Sequence, residues 1–72
     1  MERFTIRTYT KKELALMYFP GSMPRTAVNH LMAWISRCTP LWRELQEAGY
    51  EKTSKAFSPR HVRAIVAHLG EP

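Results

Sequence analysis

The sequence predicts a mainly α-helical domain with about four helices and one short β pairing. Two observations predict this class. Apolar residues recur at helical spacing in four segments, and one short segment near the N-terminus alternates as a strand does. The chain has 72 residues, of which 44% are hydrophobic, so it has room for one domain with a small core. We therefore treat 1–72 as a single small domain.

A short strand is predicted at the N-terminus, over 4–9. The segment alternates and contains β-branched and aromatic residues, which places Phe4 and Ile6 on the inward side. A single strand needs a partner, and the best candidate is the Tyr- and Phe-containing segment 50–57. Pairing of part of 50–57 with the N-terminal strand would form the wing of a winged fold.

The first helix is predicted over 11–19. Thr10 and Glu13 form a T-x-x-E pattern, in which the threonine oxygen accepts from the backbone of the third helical residue and the glutamate reaches back. Pro20 disfavours helical geometry at the residue before it, and Gly21 suits the left-handed conformation that often ends a helix. We therefore expect a sharp break after residue 19.

The second helix is predicted over 24–37, with Ser22 as its N-cap and Pro24 in its first turn. Its apolar stripe consists of Ala27, Leu31, Trp34, Ile35 and Cys38. Two helices joined by a glycine-containing turn are the outline of a helix-turn-helix. The turn, 19–23, is longer than the usual length of about three to four residues, so it indicates either the looser turn of a winged fold or a helical hairpin with a different crossing angle.

Two further helices complete the predicted fold. The third is predicted over 40–48, with Thr39 as its N-cap, and the fourth over 59–69, with Ser58 as its N-cap. Their apolar stripes are formed by Leu41, Leu45 and Ala48, and by Val62, Ile65, Val66 and Leu69. Together with the strand pairing, these helices predict a winged helix-turn-helix-like architecture.

The positive charge of the chain is concentrated in its first part. The chain has 11 Lys and Arg residues against 6 acidic residues, for a net charge of +5. Residues 1–43 hold seven of the basic and two of the acidic residues, whereas 44–72 hold four of each, so the whole excess falls on the segment with the helix pair. This asymmetry favours a polyanionic partner such as DNA. The alternative is an ordinary solvated basic surface.

No catalytic or metal-binding arrangement is visible in the sequence. Cys38 is the only thiol, and its place on an apolar stripe is typical of a buried structural cysteine. The chain has no Asp, and its Glu residues show no paired arrangement for acid–base chemistry. His30, His61 and His68 lack the spacing of zinc ligands. We therefore expect no enzyme activity, no metal, no cofactor and no small-molecule substrate.

The sequence also predicts a cytoplasmic protein that does not enter a membrane. Its N-terminus has no hydrophobic segment of the kind found in signal peptides. The longest apolar run, 14–19, is far shorter than the roughly 20 residues that span a bilayer. A single cysteine allows no intrachain disulfide, which fits a reducing compartment.

The helix pair supplies candidate residues for binding DNA. A helix-turn-helix reads base edges with the first residues of its second helix, while neighbouring elements hold phosphates. The candidate base readers are Arg25, Thr26, Asn29 and His30. The candidate phosphate contacts are Lys11, Lys12 and Arg37, with Lys52 and Lys55 added by a wing. The alternative for each residue is an exposed polar position on an amphipathic helix.

Several motifs cover nearly the whole chain. They are F-x-I-R-T-Y-x-K-x-E-L-A-x-x-Y-F-P over 4–20, A-V-N-x-L-x-x-W-I-x-R-C-x-P-L over 27–41, E-A-G-Y over 47–50, F-S-P-R-x-V over 57–62 and H-L-G-E-P over 68–72. With these motifs the chain resembles a family of small proteins from Bacteroidetes, catalogued as domain of unknown function 4248. The resemblance implies a complete bacterial protein. It implies little about function, since the family has no assigned activity.

A second resemblance concerns the helix pair alone. Residues 9–27 contain Y-T-x-x-E-L-A, followed by a turn with Gly and Ser and then by Thr26. This order is similar to the opening of excisionase and MerR-type helix-turn-helix proteins. The turn is longer here than in that pattern.

Two functions remain open on the sequence. The first is a small basic DNA-binding protein with a regulatory role. The second is a protein–protein interaction module that docks a partner through an exposed aromatic patch of Tyr18, Phe19, Met23 and Trp42. An exposed aromatic patch beside the break would favour the second function. The first would be favoured by a continuous face of Lys11, Lys12, Arg25, Asn29 and Arg37.

Overall fold

The structure is a computed structural model of the chain, and it describes residues 4–51 and 54–72. Within these residues the chain forms four helices and a two-stranded antiparallel sheet, which confirms the predicted mainly helical class. In chain order the elements are β1 (Tyr9–Thr10), α1 (Lys11–Tyr18), α2 (Pro24–Arg37), α3 (Thr39–Glu47), β2 (Ala56–Phe57) and α4 (Pro59–Leu69).

The sheet joins the residues before α1 to the residues before α4. The paired residues are Tyr9 with Phe57 and Thr10 with Ala56. Part of the segment 50–57 therefore pairs with the N-terminal strand, as the sequence predicts. The N–H of Lys11 also donates to the carbonyl of Lys55 at 2.9 Å, so the contact continues into the start of α1.

The predicted strand over 4–9 is too long. Residues 4–8 lie outside the sheet, and β2 offers only two residues as partners. Ile6, predicted to point inward, is 37% exposed, whereas the ring of Phe4 stacks on the ring of Tyr9 with centroids 5.4 Å apart. An alternating pattern shows which residues suit a strand, but it does not show how long the partner strand is.

Helix α1 begins at the predicted capping box. The N–H of Glu13 donates to Thr10 Oγ1, and the N–H of Thr10 donates to Glu13 Oε1, both at 3.0 Å. These hydrogen bonds, with the backbone bond as the larger effect, lower the pKa of Glu13 from its usual value of 4.5. The helix ends before Phe19, where the N–H of Ser22 donates to the Phe19 carbonyl at 3.1 Å. The prediction for Gly21 is wrong, because the glycines with positive φ in the described part of the chain are Gly49 and Gly70.

The predicted N-caps of the second and third helices are also wrong. Met23, and not Ser22, directly precedes α2, and its side chain makes no capping hydrogen bond. Cys38 is both the C-cap of α2 and the N-cap of α3, so Thr39 is already the first residue of α3. A single residue between two helices leaves no room for a separate capping residue.

The core lies where the four helices and the sheet meet. Its largest fully buried side chains are Phe57, Leu14, Leu31, Ile35, Leu41, Leu45, Ile65 and Val62. Each such side chain stabilises the fold by about 1.5–3 kcal/mol relative to an exposed one. Some residues of the predicted stripes depart from this pattern: Trp34 is 44% exposed, and Cys38, Ala48, Val66 and Leu69 are half-buried.

Two histidines connect α4 to α3. His61 is buried, and its Nδ1 accepts from the N–H of Ser58 at 3.2 Å while its Nε2 donates to the Ala48 carbonyl at 3.1 Å. His68 Nε2 lies 2.8 Å from Glu44 Oε2. His61 therefore acts as a second cap of α4 and as a buried link between the two helices.

The end of α1 is attached to the end of the chain. The hydroxyl of Tyr18 donates to the carbonyl of Gly70, which lies directly after α4. Burial, followed by the negative charge of Glu71, raises the pKa of Tyr18 to about 12. This contact ties the end of α1 to the residue that follows α4.

Candidate nucleic-acid interface

The two ends of α1 lie against different flanks of α2. At the N-terminal end, Lys12 lines a surface depression together with Val28 and Asn29. Beyond the C-terminal end, the ring of Phe19 lies 5.4 Å from the ring of His30 and 4.7 Å from that of Trp34. Helix α1 therefore crosses α2 and does not run alongside it. This arrangement is compatible with a helix-turn-helix.

The first flank carries a basic depression of about 460 Å³. It is lined by Lys12, Met23, Pro24, Arg25, Val28 and Asn29. Three of the predicted site residues thus meet in one place: Lys12 from α1, and Arg25 and Asn29 from α2. None of the described residues that line the depression is acidic, and Lys12 and Arg25 give it positive charge.

A second depression, of about 440 Å³, adjoins the first. It is lined by Lys11, Asn29, Met32, Ala33, Ser36 and Trp42, so Asn29 borders both depressions. Lys55 lies beside Lys11 because its carbonyl accepts the Lys11 N–H. The Lys11 ammonium lies 5.2 Å from the centre of the Tyr50 ring. We call the surface formed by Lys55, Lys11, Lys12, Asn29 and Arg25 the basic strip.

The remaining predicted site residues lie elsewhere. Thr26 and His30 are exposed and are four residues apart on α2, so they share the flank that faces Phe19. Arg37 is exposed at the last residue of α2, about 18 Å along the helix axis from Arg25 at about 1.5 Å per residue. Lys52 lies outside the described residues. The structure thus brings together only part of the predicted set.

The second flank carries an aromatic cluster that the sequence did not predict as such. The rings of Phe19 and Trp34 meet edge to face at 4.7 Å, and the Tyr18 ring lies 6.5 Å from Trp34. Trp34 is 44% exposed and Met17 is 40% exposed. We call Tyr18, Phe19, His30 and Trp34 the aromatic cluster. The sequence contains one signal for this cluster. Trp34 follows His30 by one helical turn, so it lies on the same side of α2 as a polar residue.

The predicted aromatic patch is therefore partly wrong in its membership. Trp42 is half-buried, its ring lies 6.0 Å from that of Tyr50, and it lines the second depression on the opposite flank of α2. Met23 lines the basic depression, with Lys12 and Arg25. Trp34 takes the place that the sequence assigned to Trp42, because it lies at the border of the apolar stripe and not at its centre.

Neither a metal centre nor a membrane span is seen in the part of the chain that the structure describes. No three His, Cys or Glu side chains within 4–51 and 54–72 come close enough to share a metal ion. None of the helices there combines the length and the apolar character that crossing a membrane requires. Cys38 is half-buried between α2 and α3.

The fold and this surface define a small, mainly helical domain with two crossing helices and a basic strip along one flank. The chain belongs to the family described as Domain of unknown function (DUF4248), whose pattern it matches over residues 5–72. This match confirms the family resemblance found in the sequence. No curated protein and no solved structure gave a significant match.

Proposed function

We propose that the protein is a DNA-binding module of the helix-turn-helix type with a regulatory role. The observation that supports this most is the basic depression, where Lys12 of α1 lies beside Arg25 and Asn29 of α2. A helix-turn-helix needs this arrangement, because the start of the second helix reads bases while the first helix holds the backbone. The net charge of +5 supports a polyanionic partner.

Each part of the basic strip has a chemical role in this proposal. The side chain of Asn29 donates to and accepts from an adenine edge, and that of Arg25 donates two hydrogen bonds to guanine. Lys11, Lys12 and Lys55 contact phosphates, which fixes the position of α2 in the major groove. Further base contacts come from Thr26 and His30, and further phosphate contacts from Arg37 and Lys52.

The proposed protein is a binding module and not an enzyme. It acts in the cytoplasm and uses no cofactor, metal or small-molecule substrate. A single domain of this size has few groups for reading bases, so sequence selectivity would come from pairing two copies on neighbouring half-sites.

The test compares two charge-matched double variants in their affinity for a labelled random-sequence duplex. Lys12→Ala with Arg25→Ala removes two positive charges from the basic depression. Arg60→Ala with Arg63→Ala removes two from exposed positions on α4, beside Glu44 and Glu47. We expect the first pair to weaken binding by about tenfold or more at low salt and the second by less than about twofold. Equal losses in the two variants would contradict a local DNA site.

A second candidate function is supported by the aromatic cluster. Trp34 is 44% exposed and lies against Phe19, and the exposed Met17 lies on the preceding helix. Exposed aromatic and methionine side chains are enriched where proteins bind proteins. In this alternative, Trp34→Ala abolishes capture of a specific partner and the Lys12 and Arg25 double variant retains it. Loss of capture in the charge variant alone would contradict the alternative.

A further inference from the structure

Met23 is unusually exposed for a large apolar side chain. It is 75% exposed, against 44% for Trp34, 40% for Met17 and 37% for Ile6. It directly precedes α2, where it makes no capping hydrogen bond with its side chain. The core therefore does not account for an apolar residue at this position.

The surroundings of Met23 combine apolar and cationic groups. Pro24 and Val28 line the same depression and extend its apolar surface. Lys12 and Arg25 add positive charge, and Asn29 adds an amide. A ligand that fits this depression offers an apolar group and a hydrogen-bonding edge close to a negative charge.

We infer that Met23 contacts the C5-methyl group of thymine and that Met23 and Asn29 together select an A·T base pair in the major groove. The inference rests on the proposed DNA-binding function. Among the groups that base pairs present in the major groove, the apolar one is the C5-methyl group of thymine. Asparagine is the side chain that pairs best with adenine there, so Met23 and Asn29 favour the same base pair. Lys12 contacts a neighbouring phosphate, and Arg25 reaches the edge of a neighbouring base pair.

The experiment uses two duplexes that differ only in this methyl group. One is an alternating A·T duplex of about 30 base pairs, which spans about three helical turns, and the other has uracil in place of every thymine. The full-length chain is titrated with each duplex at low salt. We expect the uracil duplex to bind about fourfold more weakly, the effect of one buried methyl group.

Variants assign that difference to Met23. With Met23→Ala the two duplexes should bind equally, and with Met17→Ala, which removes an exposed methionine from α1, the fourfold preference should remain. Met23→Gln keeps the length of the side chain without its apolar end and should also remove the preference. The ratio of affinities for the two duplexes is compared between each variant and the unmodified protein. Any effect of uracil on the shape of the duplex is common to all of them and cancels in this comparison.

Three results would overturn the inference. Equal binding of both duplexes by the unmodified protein would exclude a methyl contact and leave the proposed DNA binding intact. A thymine preference that persists in both Met23 variants would place the contact elsewhere. Absence of binding to either duplex at low salt, from a folded sample, would overturn the proposed function together with the inference, and an exposed Met23 would then point to a protein partner.

Discussion

Lys12 and Asn29 line the same surface depression, although they belong to different helices. Their proximity follows from the crossing of α1 over α2, which puts the start of α1 beside the first turns of α2. A cation that can hold a phosphate therefore lies next to an amide that can read a base.

Lys12 and Asn29 should affect DNA binding in different ways. Lys12→Ala should weaken binding to all duplexes alike and reduce the slope of log affinity against log salt by about 0.9. Asn29→Ala should leave that slope unchanged and cost about 1–3 kcal/mol only on duplexes that contain the adenine it reads. Anisotropy titrations of A·T-rich and G·C-rich duplexes at several salt concentrations separate the two effects. If the two variants behaved identically, Lys12 would not be a phosphate contact and Asn29 a base reader.

The capping box of α1 should be worth a measurable part of the stability. Thr10→Ala removes the acceptor for the Glu13 N–H and should lower the free energy of unfolding by about 1 kcal/mol. Urea denaturation followed by circular dichroism measures this. Thr26→Ala is the control, since Thr26 is exposed inside α2 and caps no helix. A loss equal to that of the control would mean that α1 does not depend on its cap.

The same capping box should make the free energy of unfolding depend on pH in the acidic range. The pKa of Glu13 is lower in the folded chain, so its contribution is present above its usual value of 4.5 and is lost as pH falls through the folded value. The stability difference between the unmodified chain and Glu13→Ala should therefore shrink as the pH is lowered from neutral to about 2.5. Thermal unfolding at both pH values tests this, and a constant difference would contradict it.

Tyr18 should make the protein sensitive to alkali. Its pKa is raised to about 12, so the unfolded chain loses this proton first and stability falls as pH rises from about 10 to about 12. Tyr18→Phe removes the ionisation, and its stability should fall less over that interval. The ultraviolet absorbance of tyrosinate, measured during a pH titration of both chains, should lose its latest-titrating component in the variant. If the component lost in the variant titrates near the usual tyrosine pKa of 10.0 instead, Tyr18 ionises at its ordinary pKa.

The two histidines that link α4 to α3 should differ in importance. His61→Ala removes a buried ring and leaves the Ala48 carbonyl without its donor, so it should cost about 2–3 kcal/mol of unfolding free energy. His68→Ala breaks only a partly exposed pair with Glu44 and should cost less than about 1 kcal/mol. Because a carbonyl only accepts, the neutral His61 ring should carry its proton on Nε2. Nitrogen-15 shifts of the ring that showed the Nδ1–H form would contradict this geometry.

The sequence predicted the class of fold because its signals are local. The T-x-x-E pattern at Thr10 and the Ser-Pro start at Ser58 are both capping sites in the structure. The errors arose where an element depends on its neighbours. Cys38 alone separates α2 from α3, and the strand predicted over 4–9 is limited by a two-residue partner. Local patterns carry no information on either constraint.

The candidate site was predicted in part. Lys12, Arg25 and Asn29 were identified from charge and from position on a helix, but their meeting in one depression depends on the crossing of two helices. Trp34 was predicted on the apolar stripe of α2 but is 44% exposed, because an apolar stripe has borders that a helical repeat does not define. Burial at a border is decided by the neighbouring elements, and here the rings of Phe19 and Tyr18 meet Trp34 edge to face and leave it 44% exposed.

Binding of duplex DNA by the basic strip is open to a direct titration. Fluorescence anisotropy of a labelled random-sequence duplex is followed as the unmodified protein is added, at about 50 and about 200 mM salt. We predict micromolar binding at the lower concentration and a steep fall at the higher one, with a slope that corresponds to about three to five phosphate contacts. A folded sample that does not bind the duplex even at about 50 mM salt would contradict the claim and favour a protein partner at the aromatic cluster.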